Sequence, residues 1–141
     1  MSRFLYDTAV FVYAVGRDHR YREPCRAIVR AARDGRLGGE ASVELVHEYA
    51  HILLRRTGDR PRAAREARAV WRLCSLHEAT IDDLRRAIQL FEAHALGGRD
   101  ALHAATALNR GIPHVLSPDR AFDGVTGLER VDPVDALARL A

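Results

Sequence analysis

Arg3-Phe4-Leu5-Tyr6-Asp7-Thr8 is a short apolar run that ends on a carboxylate and passes directly into the apolar stretch Ala9 to Ala14. Four to five residues of this kind, followed by Asp-Thr, predict a buried strand feeding straight into a helix. Asp7 then stands at the carboxyl end of a first strand. In an open parallel sheet the ligand crevice lies outside the carboxyl ends of the strands, so an acid at that point is aimed at a site. The simpler role for Asp7 is to cap the following helix. Where the other acids fall decides between the two.

Outward from this stretch, strands and helices alternate. Helices are predicted from Ala9 to Gly16 and from Tyr21 to Ala32, the second ending at Asp34-Gly35, where glycine offers a left-handed cap. Leu37 to Ala41 is a weaker strand, interrupted by Gly38-Gly39. Ser42 is an N-cap for a helix with Leu45, Val46, Tyr49, Ile52 and Leu53 on one face. At roughly 100° per residue, Glu48 falls about 40° from Ile52, at the margin of that stripe and within reach of a half-buried site. A basic helix follows, with Val70 and Trp71 expected to bury its far side. Ser75 to Ala79 reads as a third strand. Thr80 and Asp83 form a capping box for a helix carrying Leu84, Ala87, Ile88, Phe91 and Ala95, which Gly97-Gly98 breaks. A further helix runs from Arg99-Asp100 to Gly111. His114 to Leu116 and Leu128 to Val131 are strands, and Asp132-Pro133 opens a terminal helix to Leu140. The alternation implies an α/β fold, a parallel sheet covered by helices on both faces.

The length of 141 residues and 48% hydrophobic content suit a single domain, 1–141, with a real core. No apolar run approaches the roughly eighteen residues of a membrane span, so a cytoplasmic protein is expected. Cys25 and Cys74 belong to no metal-ligand or redox spacing. All 22 basic residues are Arg, and the net charge of +3 permits a nucleic-acid partner without requiring one. Seven of those arginines, from Arg55 to Arg72, crowd one turn and helix. They form either a solvated face or a surface that tracks phosphates.

Asp119 repeats the placement of Asp7, directly after a short apolar strand and hence on the same edge of the sheet. Asp100 opens a helix, and Glu48 flanks a buried stripe. Each acid alone has an ordinary role as cap, turn or surface residue. Converging on one crevice, they raise each other's pKa and destabilise the fold unless a cation joins them. Oxygen donors without cysteine favour a hard cation, Mg²⁺ or Mn²⁺, that keeps several waters and accepts phosphate oxygens. Metal-assisted phosphodiester hydrolysis is the chemistry such a set suits best.

Four segments in this order and spacing resemble the PIN domain, and more narrowly the VapC-type toxins of VapBC toxin–antitoxin systems. They are Phe4-Leu5-Tyr6-Asp7-Thr8, Ser42 to Tyr49, Gly98 to Ala107, and Leu116 to Asp123. The resemblance implies a three-layer α/β/α sandwich around a mostly parallel sheet of four to five strands, and a Mg²⁺- or Mn²⁺-dependent endoribonuclease. It makes Asp7 and Asp100 the principal metal ligands, adds Asp119 and Glu48 to the acidic set, and gives Asp123 an assisting role. It further implies a homodimer and a VapB-type antitoxin as partner. The chain departs from the family pattern at Gly38-Gly39 and at Ser117-Pro118, the second bearing on the role of Asp119.

Two other readings compete. His47-Glu48-Tyr49-Ala50-His51 matches H-E-x-x-H, the helix on which two histidines bind zinc and glutamate is the general base. The extended form is absent, since Leu54 and Thr57 occupy its downstream places, and only Glu66 and Glu78 offer themselves as third ligands. His47 and His51 also project to the polar side of the wheel. The other reading is a PIN-like module that has lost catalysis and only binds a partner. Retention of four mutually repelling acids speaks against it. His103, between Leu102 and Ala104, is either a satisfied core residue or one that faces substrate.

Overall fold

The computed structural model describes residues 2–141. Its elements follow in the order β1 (Phe4–Tyr6), α1 (Thr8–Val15), α2 (Arg22–Arg33), β2 (Gly39–Ser42), α3 (Val43–Thr57), α4 (Arg60–Leu73), β3 (Cys74–His77), α5 (Ile81–Ala93), α6 (Gly98–Asn109), β4 (His114–Leu116), a short 3₁₀ turn (Arg120–Gly124), β5 (Glu129–Val131) and α7 (Ala136–Leu140). Among the described residues the strands form one five-stranded sheet in the order β3-β2-β1-β4-β5, every pair parallel. None of the described helices is long and apolar enough to cross a membrane.

The first strand divides the interior. Side chains alternate across a strand, so Phe4 and Tyr6 enter one core with α1 to α4 and α7, while Leu5 enters the other with α5 and α6. All three residues are fully buried. Burial of that kind contributes about 1.5–3 kcal/mol per large side chain. Helices on both faces make the three-layer α/β/α arrangement that the sequence pattern implies.

Gly39 does not interrupt β2; it begins it. A Cβ there would lie 2.1 Å from Tyr6 Cε2 and 2.7 Å from Phe4 Cε2, so only glycine lets the β1 aromatics lie over the neighbouring strand. Gly38, by contrast, has nothing within 4 Å of the same atom. Local helix signals are realised as expected. Ser42 Oγ accepts from the Glu44 N–H, and Thr80 and Asp83 form the reciprocal capping box.

Other expectations need correction. Trp71 is 59% exposed, and α4 buries Ala63, Ala67 and Val70 instead. The third strand is Cys74–His77 and stops short of Ala79. Asp132-Pro133 forms a turn in which Asp132 Oδ1 accepts from the Val134 N–H, and the terminal helix starts only at Ala136. The largest departure concerns α5. Its apolar spacing correctly signals a helix, yet Ile81, Leu84, Ile88 and Phe91 are 77, 54, 58 and 58% exposed. The cause is Asp83, whose buried carboxylate accepts from Arg110 at 2.9 and 3.0 Å and from Asn109 at 2.8 Å. This bidentate pairing turns Asp83 and Ala87 toward α6 and leaves the apolar row outside.

Candidate active site

The sheet order reverses direction between β1 and β4, and in α/β sheets ligands bind outside the strand ends at that switch. Asp7 follows β1 there, and its N–H donates to the Leu116 carbonyl at 3.0 Å, locking it to the end of β4. Asp119 follows β4 by a few residues. Glu48 arrives from α3 on one face of the sheet and Asp100 from the first turn of α6 on the other. All four acids line a single cleft of about 1420 Å³.

Asp7 is buried but does not cap α1: its side chain makes no hydrogen bond to that helix. Ser117 Oγ donates to Asp7 Oδ2 at 2.6 Å and accepts from the Asp119 N–H at 3.0 Å. One hydroxyl therefore joins the two strand-end acids. Asp119 lies at the exposed rim, where its Oδ1 accepts from the Ala121 N–H at 2.9 Å.

Glu48 is held from three sides. Thr8 Oγ1 donates to its Oε1, Arg99 Nη1 donates to its Oε2 at 3.2 Å, and His103 Nε2 stands 3.5 Å from Oε1 and 3.2 Å from Thr8 Oγ1. Burial alone would raise the Glu48 carboxyl, but the bonds from His103, Thr8 and Arg99 outweigh it and bring it down to about 2. Asp100 goes the other way, pushed up to about 7 by burial and by the neighbouring Asp7, Asp119 and Glu48 charges. Asp7 is raised too, chiefly by burial, which outweighs the relief from His103 and Ser117. Burial opposes charge on the fully enclosed His103 ring, yet Glu48, Asp7 and Asp100 hold its pKa above the ordinary value.

Four carboxyl groups line one crevice, with Glu48 held ionised by its donors while Asp7 and Asp100 resist ionisation. Such a set fits a hard divalent cation. Among the described residues no three acids or histidines meet as a ready-made cage.

Asp123 does not line the cleft; its Oδ1 accepts from Arg130 Nε at 2.7 Å. His47 and His51 stand on the exposed side of α3 with their Nε2 atoms 3.2 Å apart, while Glu48 turns inward, so the H-E-x-x-H residues do not share a site. Thr8, Arg99 and Ser117 join the site through their bonds to Glu48 and Asp7, roles that their residue types alone do not announce. Adjacency to Asp7, Asp100 and Asp119 was the available signal. Ser117, which looked like a departure from pattern, is the residue that ties Asp7 to Asp119.

A family model described as the PIN domain matches residues 4–128. The chain is 36% identical over 133 residues to a protein named ribonuclease VapC7 from Mycobacterium tuberculosis, covering 90% of this chain and 89% of the relative. Among solved structures, VapC20 from the same organism, titled a Sarcin-Ricin loop cleaving toxin, superposes with a TM-score of 0.67 over 89% of this chain and 98% of that one, at 19% identity. VapBC2 from Rickettsia felis, solved on a promoter DNA fragment, gives 0.69 over 92% of this chain and 98% of that one, at 11% identity. At these identities the structural likenesses speak for the fold.

Proposed function

The chain belongs to the PIN-domain family, and on that footing we propose that it is an endoribonuclease that hydrolyses RNA phosphodiester bonds as the toxin of a toxin–antitoxin pair. The observation that carries this reading is the convergence of Asp7, Glu48, Asp100 and Asp119 at the sheet's switch point. The relatives named as VapC ribonucleases support it independently.

Asp7, Asp100 and Asp119 would hold Mg²⁺ or Mn²⁺, with Glu48 completing the acidic set. A divalent cation supplies neutralisation of phosphoryl oxygens and a lowered pKa for bound water. The chain's own residues do the rest. Ser117 fixes Asp7 Oδ2 and leaves Oδ1 without a hydrogen-bond partner among the described residues, free for the cleft. Glu48, ionised throughout the neutral range, offers its oxygens as acceptors that orient a water. Thr8, Arg99 and His103 keep that carboxylate in one position, which is the pre-organisation an in-line attack needs. The water oxygen bonds to phosphorus as the bond to the 3′-oxygen breaks, and the leaving oxygen takes a proton. The products are a 5′-phosphate and a 3′-hydroxyl.

The test is cleavage of single-stranded RNA by the wild type, Asp7→Asn and Asp100→Asn, each in Mg²⁺ and in EDTA. Cleavage that requires metal and falls at least a hundredfold in both variants is the expected result. Metal-independent products ending in cyclic phosphate would sink the mechanism.

The partner of this reading is a VapB-type antitoxin. Several chains of similar fold come from structures titled VapBC or toxin–antitoxin complexes. A second copy of this chain is proposed to pair through the outer row of α5. Ile81, Leu84, Ile88 and Phe91 repeat at the spacing of a helix–helix seam, and a solvent-facing row of this kind marks an interaction surface.

A further inference from the structure

The cleft that holds the acids has a second end of different character, built from the loop between α1 and α2 and from the C-terminal part of α3. Three aromatic rings gather there. His19 stacks on Tyr13 with centroids 4.6 Å apart and planes 28° from parallel, and it lies 5.9 Å from Tyr21 at 23°. Tyr13 and Tyr21 are only 5.7 Å from each other, so both sit on one side of the imidazole. The His19 ring is exposed and lines the cleft.

The assembly is rigid. The Tyr21 N–H donates to His19 Nδ1 at 3.2 Å, and Tyr21 OH donates to Asp132 Oδ2 at 2.8 Å. The Arg20 guanidinium lies 4.7 Å over the Tyr21 ring. Arg17, Arg20 and Arg56 line the same cleft and pair with no carboxylate among the described residues; Asp18 is the one acid of the loop.

We propose that this loop is a base-stacking subsite, in which one unpaired base of the RNA stacks on the exposed His19 ring while Arg17, Arg20 and Arg56 hold the phosphates that lead to the acidic end. The subsite rests on the ribonuclease reading and deepens it. The chemistry favours single-stranded RNA. Its repeat alternates a flat ring with an anionic phosphate, and the cleft offers a ring platform together with guanidinium groups that pair with no carboxylate among the described residues. An acidic peptide could use the arginines but has no use for a fixed stack of rings. A duplex would keep its bases away from the platform. Because the rings are immobilised before binding, little entropy is lost when a base docks.

The test compares His19→Ala, His19→Phe and Arg17→Ala with the wild type on a mixed-sequence, single-stranded oligoribonucleotide. Cleavage gives KM and kcat; fluorescence anisotropy gives affinity in an Asp7→Asn background; Mn²⁺-induced stabilisation reports separately on the acidic end. Stacking on an aromatic side chain corresponds to roughly a 5- to 160-fold effect per base. His19→Ala should therefore raise KM and weaken affinity about tenfold, His19→Phe should restore both, and the response to Mn²⁺ should stay as in the wild type. An abasic nucleotide walked along the substrate should cost the wild type about tenfold at one position and cost His19→Ala nothing there. If the wild type cleaves RNA and His19→Ala does so with unchanged KM and affinity, the subsite is wrong and the basic end serves the antitoxin or no ligand. If the wild type responds to Mn²⁺ but neither binds nor cleaves RNA, the ribonuclease reading fails and takes the subsite with it.

Discussion

Glu48 and Asp100 share one cleft and carry the same chemical group, yet their surroundings drive them apart. Three donors hold Glu48 at about 2, whereas burial beside other acids lifts Asp100 to about 7. The consequence for stability has a definite sign. A carboxyl whose folded pKa lies above its unfolded value stabilises the fold when protonated, and that contribution disappears as pH rises from about 4 through about 7. His103, also raised, acts in the same direction. The metal-free protein should thus melt higher at pH 5.5 than at pH 8, and Asp100→Asn should flatten the slope. Differential scanning fluorimetry in EDTA measures both; an Asp100→Asn slope equal to that of the wild type would refute the assignment. Mg²⁺ competes with the same protons, so its stabilising effect should grow as pH rises toward 8, and Asp7→Asn should remove most of it.

At the level of elements, β1 and β2 are matched through a missing side chain. Gly39→Ala places a methyl against Tyr6 and Phe4, neither of which can move without opening the core, and should cost about 1–3 kcal/mol or more. Gly38→Ala meets nothing and should be close to neutral. Urea denaturation of the pair is a controlled measurement, because the two substitutions are chemically identical and adjacent. Equal losses would show that backbone freedom, not the aromatic contact, is what β2 requires. The α5 row yields a second prediction at this scale. Ile88→Asp should convert a dimer to a monomer by light scattering without lowering the melting temperature much, since Ile88 is already more than half exposed. A wild-type mass for that variant would move the interface elsewhere.

For the molecule as a whole, acids and arginines are separated along one cleft while the net charge stays near neutral, at +3. RNA affinity should therefore depend steeply on salt despite the modest total. Replacing Arg17 or Arg56 by Ala should lower the slope of log affinity against log salt concentration by about one each. The sequence by itself determined the strand–helix alternation, the caps at Ser42 and Thr80, and the placement of Asp7 and Asp119 after short apolar strands. These follow from local periodicity and backbone chemistry, which neighbouring residues specify without reference to distant ones. It also carried the family, because the motif segments keep their order and spacing. Only the tertiary structure decided which acids meet, that Ser117, Thr8, Arg99 and His103 govern their charge, that Asp123 turns away to Arg130, and which face of α5 is left outside. An apolar residue at helical spacing announces a helix, but on α5 the buried Asp83–Arg110 ion pair overrides that spacing when the helix docks. The His19 platform was equally out of reach, since its rings come together only when the loop folds back between α1 and α2.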